Sequence, residues 1–280
     1  MNSRTADYYP TNLNTYNNGS NEGRQIPAYV DITGADTDPY VYVEDMSASK
    51  QGDYFHKELN LSNSSYNVYE NVTIDSGSGM VTIKALIPQT KEDMQWDDDG
   101  NLSNDGIWDY TWDGENRLSS ITVRPSLSFT GDGGSFTRKH LTFKYDYLGR
   151  RVEKVLYDNW NGSSGTLIYT RRFVYDGWNL IAEQDQSGTI IRTYTWGLDE
   201  SHTLQGAGGV GGLLMITEGS DRYNTAYDAN GNLSALLNNS DGTIEAAYEY
   251  GASGELIRIS GSSIAFDNPF RFSTKYFDEE

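Results

Sequence analysis

The sequence predicts an all-β protein assembled from repeated strand-turn-strand hairpins, and three observations carry that prediction. The first is composition: 29 glycines and 21 tyrosines among 280 residues, with abundant Asn, Ser and Thr, favour strands and turns over helices. The second is period. No segment keeps apolar residues at i, i+3, i+4 and i+7 over three turns, whereas short runs alternate residue by residue. The third is repetition. "SGTIIRTYTWG" (187–197) and "DGTIEAAYEYG" (241–251) share the skeleton G-T-I-x-x-x-Y-x-aromatic-G, and "SGTLIYTRRFVYDG" (164–177) is a looser copy.

Taken in order, residues 1–29 hold "YYPTNLNTY", similar to a degenerate repeat. Residues 30–90 hold "YVYVED" and "MVTIKALI", which read as strands of a small inserted β module of unassigned role. Residues 91–280 follow one grammar: an aromatic-Asp pair, a short turn with Gly, then Asn or Arg, then an apolar residue. It occurs in "WDDDGNL" (96–102), "WDGENRL" (112–118), "YDYLGRR" (145–151), "YDGWNL" (175–180), "YDANGNL" (227–233) and, less strictly, "YGASGEL" (250–256). Each unit has a physical reason. In the fifth, Asp228 accepts backbone N–H groups two residues on, and Gly231 takes the positive φ of a tight hairpin loop. Asp146 with Gly149, Asp176 with Gly177, and Gly254 are assigned the same turn-setting role.

Between turns the strands alternate. Ile244, Ala246, Tyr248 and Tyr250 share one face, as do Ile190, Arg192, Tyr194 and Trp196 in the other exact copy. Tyr145, Tyr175 and Tyr227 join Tyr194, Trp196, Tyr248 and Tyr250 as the aromatics expected to pack the sheet. One hairpin cannot bury such a face alone, so copies must lean on one another. Arg192 and Arg171 stand where Ala246 stands in the other copy. A dry interior rejects an unpaired charge, so this face is expected to line an open, partly wet wall.

Composition also excludes. A formal charge of −19 repels nucleic acid and anionic lipid, so neither nucleic-acid binding nor membrane insertion is expected. There is no cysteine, hence neither disulfide nor thiolate metal site. The N-terminus carries no signal-peptide pattern. "GAGGVG" (206–211) matches G-x-G-x-x-G but lacks the helix and the later acid that a dinucleotide site needs. "WDDDGNLSNDG" (96–106) puts Gln95 and Gly106 where a calcium loop needs ligands. "DESH" (199–202) sets Asp, Ser and His side by side, whereas a triad is assembled by the fold and not by adjacency. No catalytic, cofactor or metal residue is assigned, and no cofactor is expected.

The six turn units, with "FVYDGWNLIAE" (173–183), "YTWGLDESHTLQGAGGVGGLL" (194–214) and "NPFRFSTKYFDEE" (268–280), resemble the Rhs (rearrangement hotspot) or YD-repeat family, specifically its repeat-associated core region. The resemblance implies a ribbon of hairpins that spirals into a hollow shell. In bacterial relatives that shell encloses a C-terminal toxin or effector, and in animal teneurins a similar shell supports cell adhesion. The family's core usually continues with a "TGL…Y…RYY" stretch and, in many members, an Asp-Pro self-cleavage motif. Here the sequence ends at "FDEE" and its one Asp-Pro is Asp38-Pro39, so no self-cleavage residue carries over. The expectation is a wall segment of a larger secreted or cell-surface protein. It is not itself an enzyme, and its partner is the rest of its own parent chain. The alternative is a surface module binding carbohydrate or protein through exposed Tyr194, Trp196, Tyr248 and Tyr250.

Overall fold

The structure is a computed structural model that describes residues 24–26, 28–92, 94–124 and 127–278. It is nearly all β, with antiparallel hairpins throughout. Among the described residues the helical exceptions are Ser263–Asp267 and a short 3-10 turn, Phe272–Thr274. Contacts divide the chain into two units. One runs to Phe143 and takes in Leu156–Ile168; the other comprises Lys144–Val155 and Tyr169 onward. The degenerate repeat expected in residues 1–29 lies, as far as residue 23, outside the described residues.

In the first unit, Tyr29–Ala35 pairs with Tyr54–Asn60, and Asn67–Ser76 pairs with both Gly79–Ile87 and Val41–Val43. Alternation sends Ile32, Val41, Val43, Phe55, Leu59 and Val72 into a common core. The repeat hairpins then begin: Gln95–Trp96, Leu102–Asn104, Trp108–Trp112, Leu118–Val123 and His140–Tyr145 follow in spatial as in chain order. Between the last two, Phe129–Thr130 adds in parallel to Asn67–Val68. Phe136 stacks on Phe129 at 4.4 Å and meets Tyr69 edge-on at 5.0 Å. This loop ties the β module to the repeat hairpins, a contact with no signature in the sequence.

In the second unit, which takes the strand Thr166–Asp176 from Tyr169 onward, that strand and Asn179–Gln184, Ile190–Trp196, Leu213–Glu218, Asp221–Tyr227, Leu233–Asn238, Ile244–Tyr250 and Leu256–Gly261 pair successively, each antiparallel to the next. One face carries the core of Phe173, Leu180, Tyr194, Leu213, Ile216, Leu233, Leu236, Ala246 and Tyr248. That face is covered, contrary to the open wall expected. The helix and the segment after it bring Ile264, Ala265 and Phe270 into the same core. Phe270 meets Tyr194 and Trp196 edge-on at 4.9 and 5.5 Å, and Tyr276 meets Phe173 at 5.5 Å. The aromatic row is too large to leave wet, and this strap is the apolar surface within reach.

Candidate functional site: the repeat turns and the packed face

Among the described residues seven turns share one geometry. They begin at Asp97, Asp113, Asp146, Asp185, Asp199, Asp228 and Gly251. In each, the first residue's N–H donates to the carbonyl four residues on, and the fourth residue's N–H donates back to the first carbonyl. The fourth residue has positive φ: Gly100, Asn116, Gly149, Gly188, His202, Gly231 and Gly254. This is the three-residue hairpin loop, a type I turn closed by a left-handed bulge residue.

In six of the seven turns the opening Asp carboxylate holds the loop. At Asp228, one oxygen accepts from Asn230 N and Asn232 N at 2.9 and 3.0 Å, and the other accepts from Asn232 Nδ2 at 2.8 Å. Asp146 does the same with Arg150 N and Nε. Asn101 and Arg117 complete the set. This explains the Asn or Arg of the grammar: it supplies a side-chain donor to the second carboxylate oxygen. In the seventh turn Glu255 does the work, accepting from Ser253 N.

Two predicted turn residues stand differently. Asp176 is the last residue of its strand and pairs with Asn179 around a two-residue loop, with Gly177 at φ 56°. Conversely, the turns at Asp185 and Asp199 escaped prediction, because no aromatic precedes either Asp. The candidate triad "DESH" is such a turn, with His202 in the bulge position. Of the other histidines, His140 stacks on Trp160 at 4.0 Å and His56 pairs with Asp31. The calcium-like stretch is the Asp97 turn; no group of three or more metal-ligating side chains gathers among the described residues.

The aromatics do more than pack. Trp112 Nε1 donates to Leu102 O, Tyr175 Oη to Arg151 O, Trp196 Nε1 to Leu180 O, Tyr227 Oη to Leu213 O and Tyr250 Oη to Leu233 O. Each acceptor is the first or second residue of the preceding strand, so each of these rings clasps the carbonyl of a neighbouring strand. That accounts for Tyr and Trp rather than Phe at these positions. Burial pushes the Tyr227 phenol up to about 12. Tyr194 and Tyr248 are more deeply set, donating to Glu183 and to Ala265 O. Tyr145 is half-buried at a strand end. The rings of the alternative sugar platform are therefore packed: Tyr194 and Tyr248 are buried, and Trp196 and Tyr250 are half-buried with their polar tips engaged.

Arg192 lies on the packed face, 6% exposed, and is paired. Register sets it directly opposite Glu183 on one side and Glu218 on the other. Its Nη2 donates to Glu218 at 3.0 Å and its Nη1 to Asp267 O at 3.0 Å. Arg171 lies 3.7 Å from Glu183. In the other copy Ala246 faces Leu236 and Gly261. The mismatch between copies thus reflects an ionic row in one place and an apolar row in the other.

"GAGGVG" folds around a carboxylate of the chain itself. Asp199 accepts from Ala207 N and Gly209 N, at 2.7 and 3.1 Å, besides its own turn bonds to Ser201. Burial opposes its ionisation, but the Ser201 hydroxyl and these N–H groups prevail and hold its pKa at about 2. A depressed carboxylate stabilises the fold fully above the unfolded-chain value of about 4, and that contribution is lost as pH falls toward the folded value. Melting temperature is expected to drop between about pH 4 and pH 2, and the drop is expected to be shallower in Asp199→Asn. Identical pH profiles for the two proteins would remove this role.

No family model matches the chain. Over 189 residues it is 30% identical to the tRNA3(Ser)-specific nuclease WapA of Bacillus spizizenii and 27% identical to the tRNA nuclease WapA of Bacillus subtilis. The matched stretch is 68% of this chain and 7% of each relative's length. Among solved structures, TcdB2-TccC3 covers 92% of this chain and 14% of its own at 11% identity, with a TM-score of 0.42. TcdB2-TccC3-Cdc42 covers 99% of this chain and 13% of its own at 13% identity, with a TM-score of 0.43. Superpositions at that level add nothing to the fold shown by the strands themselves. The expectation that the protein is not an enzyme is corrected by the relatives, each of which is named as a nuclease. These relatives support an Rhs/YD-repeat family for the chain.

Proposed function

We propose that this chain is a length of Rhs repeat-associated wall in a toxin-associated, secreted or surface-displayed protein. Its parent chain encloses or presents a C-terminal toxin, of the tRNA-cleaving class that the relatives' names suggest. The observation that carries the reading is the recurrence of one loop geometry at seven turns with the ring-to-carbonyl clasp between hairpins. That is the construction a ribbon needs in order to be extended copy after copy. Toxin-associated relatives fit the same reading. Among the described residues no helix is long and apolar enough to cross a membrane. The wall residues are Asp146, Gly149, Asp228, Gly231 and Gly254 at turns, and Tyr175, Trp196, Tyr227 and Tyr250 as clasps.

Limited proteolysis of the full parent protein tests enclosure. The polypeptide after this wall is expected to resist protease in the intact protein and to become cleavable once the wall carries Gly231→Val. Cleavage at equal rates in both proteins rejects enclosure.

A further inference from the structure

In the first unit, Gly79–Ile87 is an edge strand. It pairs with Asn67–Ser76 over its whole length, nine residues in unbroken register, and no strand among the described residues pairs with its other side. A regular antiparallel ladder turns the N–H and C=O of every second residue away from the partner strand. This strand therefore presents a row of unmade backbone donors and acceptors.

Folded proteins guard such an edge by keeping it short, by a bulge, by proline or by an outward charge. None of these operates here. The register has no shift, Pro88 lies beyond the strand's end, and the one charged side chain is turned back. Lys84 Nζ donates to Gly133 O at 2.9 Å and lies 5.3 Å from the centre of the Tyr69 ring. The apolar side chains are unguarded as well. Register sets Ile83 beside Val72 and Val81 beside Ile74, on the face that forms the module's core. Val72 is 1% exposed, but Ile83 is 37% and Val81 58% exposed, so the apolar row runs out past its cover.

The strand's own sequence favours a second copy as the occupant. When two copies of Gly79–Ile87 pair antiparallel over their full length, Ile83 faces its own copy and Val81 faces Ala85 on the core side. On the other side Met80 faces Leu86 and Thr82 faces Lys84. The core-side pairs are all aliphatic, and no like charges stand opposite one another. Charge points the same way. The chain carries a formal charge of −19, yet no acidic residue lies between Asp75 and Glu92, so this stretch is spared the repulsion that a second copy meets elsewhere.

We propose that Gly79–Ile87 is a self-association edge. Two copies of the chain join their β modules through it, antiparallel about a two-fold axis at Ile83. This pairing does not depend on what the repeat hairpins enclose.

Sedimentation of the 280-residue chain measures association, and single cysteines read the register, since the chain has none of its own. A dimer is expected, and it is expected to tighten as added salt screens the net charge. Under mild oxidation Ile83→Cys is expected to form a disulfide-linked dimer at least about tenfold faster than Val81→Cys. A disulfide needs Cα atoms within about 7 Å, and the two Val81 positions would lie about 14 Å apart along the strand. Random collision gives the reverse order, because Val81 is the more exposed. Ile83→Lys sets two like charges face to face and is expected to weaken the dimer about tenfold or more. Should that variant fail to fold, the cysteine pair decides. The proposal is overturned if the chain is monomeric, if salt dissociates the dimer, or if the two cysteine variants cross-link alike.

Discussion

Ala246→Arg, which writes the residue of one strand copy into the other, is expected to cost at least about 3–5 kcal/mol or to prevent folding. Ala246 is fully buried, opposite Leu236 and Gly261. The two backbones approach so closely there that a Cβ on Gly261 would come within 2.8 Å of the Ala246 Cα. An arginine at this point is both overpacked and unpaired, and an uncompensated buried charge alone is worth about 3–5 kcal/mol. Arg192, at the equivalent place, is tolerated because strand register delivers Glu183 and Glu218 on either side. Urea denaturation measures the difference. A variant with the parent's midpoint would mean that the two copies are interchangeable and that the pairing seen for Arg192 is incidental.

Gly231→Val is expected to cost about 1–3 kcal/mol, while Gly149→Asn is expected to be close to neutral. Both glycines hold the bulge position of the same loop, at φ +71° and +80°. A Cβ on Gly231 would lie 2.6 Å from Glu200 Oε1 and closer still to Val210, whereas nothing lies within 4 Å of one on Gly149. The Gly231 carbonyl also accepts from Thr274 Oγ1 at 2.9 Å, which anchors the strap over the packed face. Asn116 and His202 already occupy the bulge position in sister loops, so Asn is an accepted substitute where space is open. Denaturation midpoints again give the answer; equal losses at the two positions would show that φ alone decides, and that the strap adds nothing.

Much of this was legible beforehand, and the reason is locality. A turn that closes over five residues leaves its requirements within five residues, as in "YDANGNL". Alternation marks the strand and its packed face within seven. What stayed hidden was either atypical or distant. The Asp185 and Asp199 loops lack the aromatic that flags the others, although Asp, a polar pair ending in Ser and a bulge residue are present in both. The aromatic clasps join residues from 10 to 24 positions apart, and nothing local says that a Tyr will donate to a particular carbonyl. The Gly-rich stretch matched a nucleotide pattern because both uses need glycine for positive φ and close approach. Only the position of Asp199 shows which use applies.

The sequence by itself determined the all-β class, the hairpin loops and the identity of the ring-bearing face, because each follows from the conformational preference of a few neighbouring residues. Tertiary structure alone decided that this face is covered by the strap and that Arg192 meets two carboxylates. Those outcomes depend on register between strands up to 26 residues apart and on a segment that returns across the sheet from Ser263 onward. Register and return are set by the summed burial of many side chains, and no short stretch carries that sum.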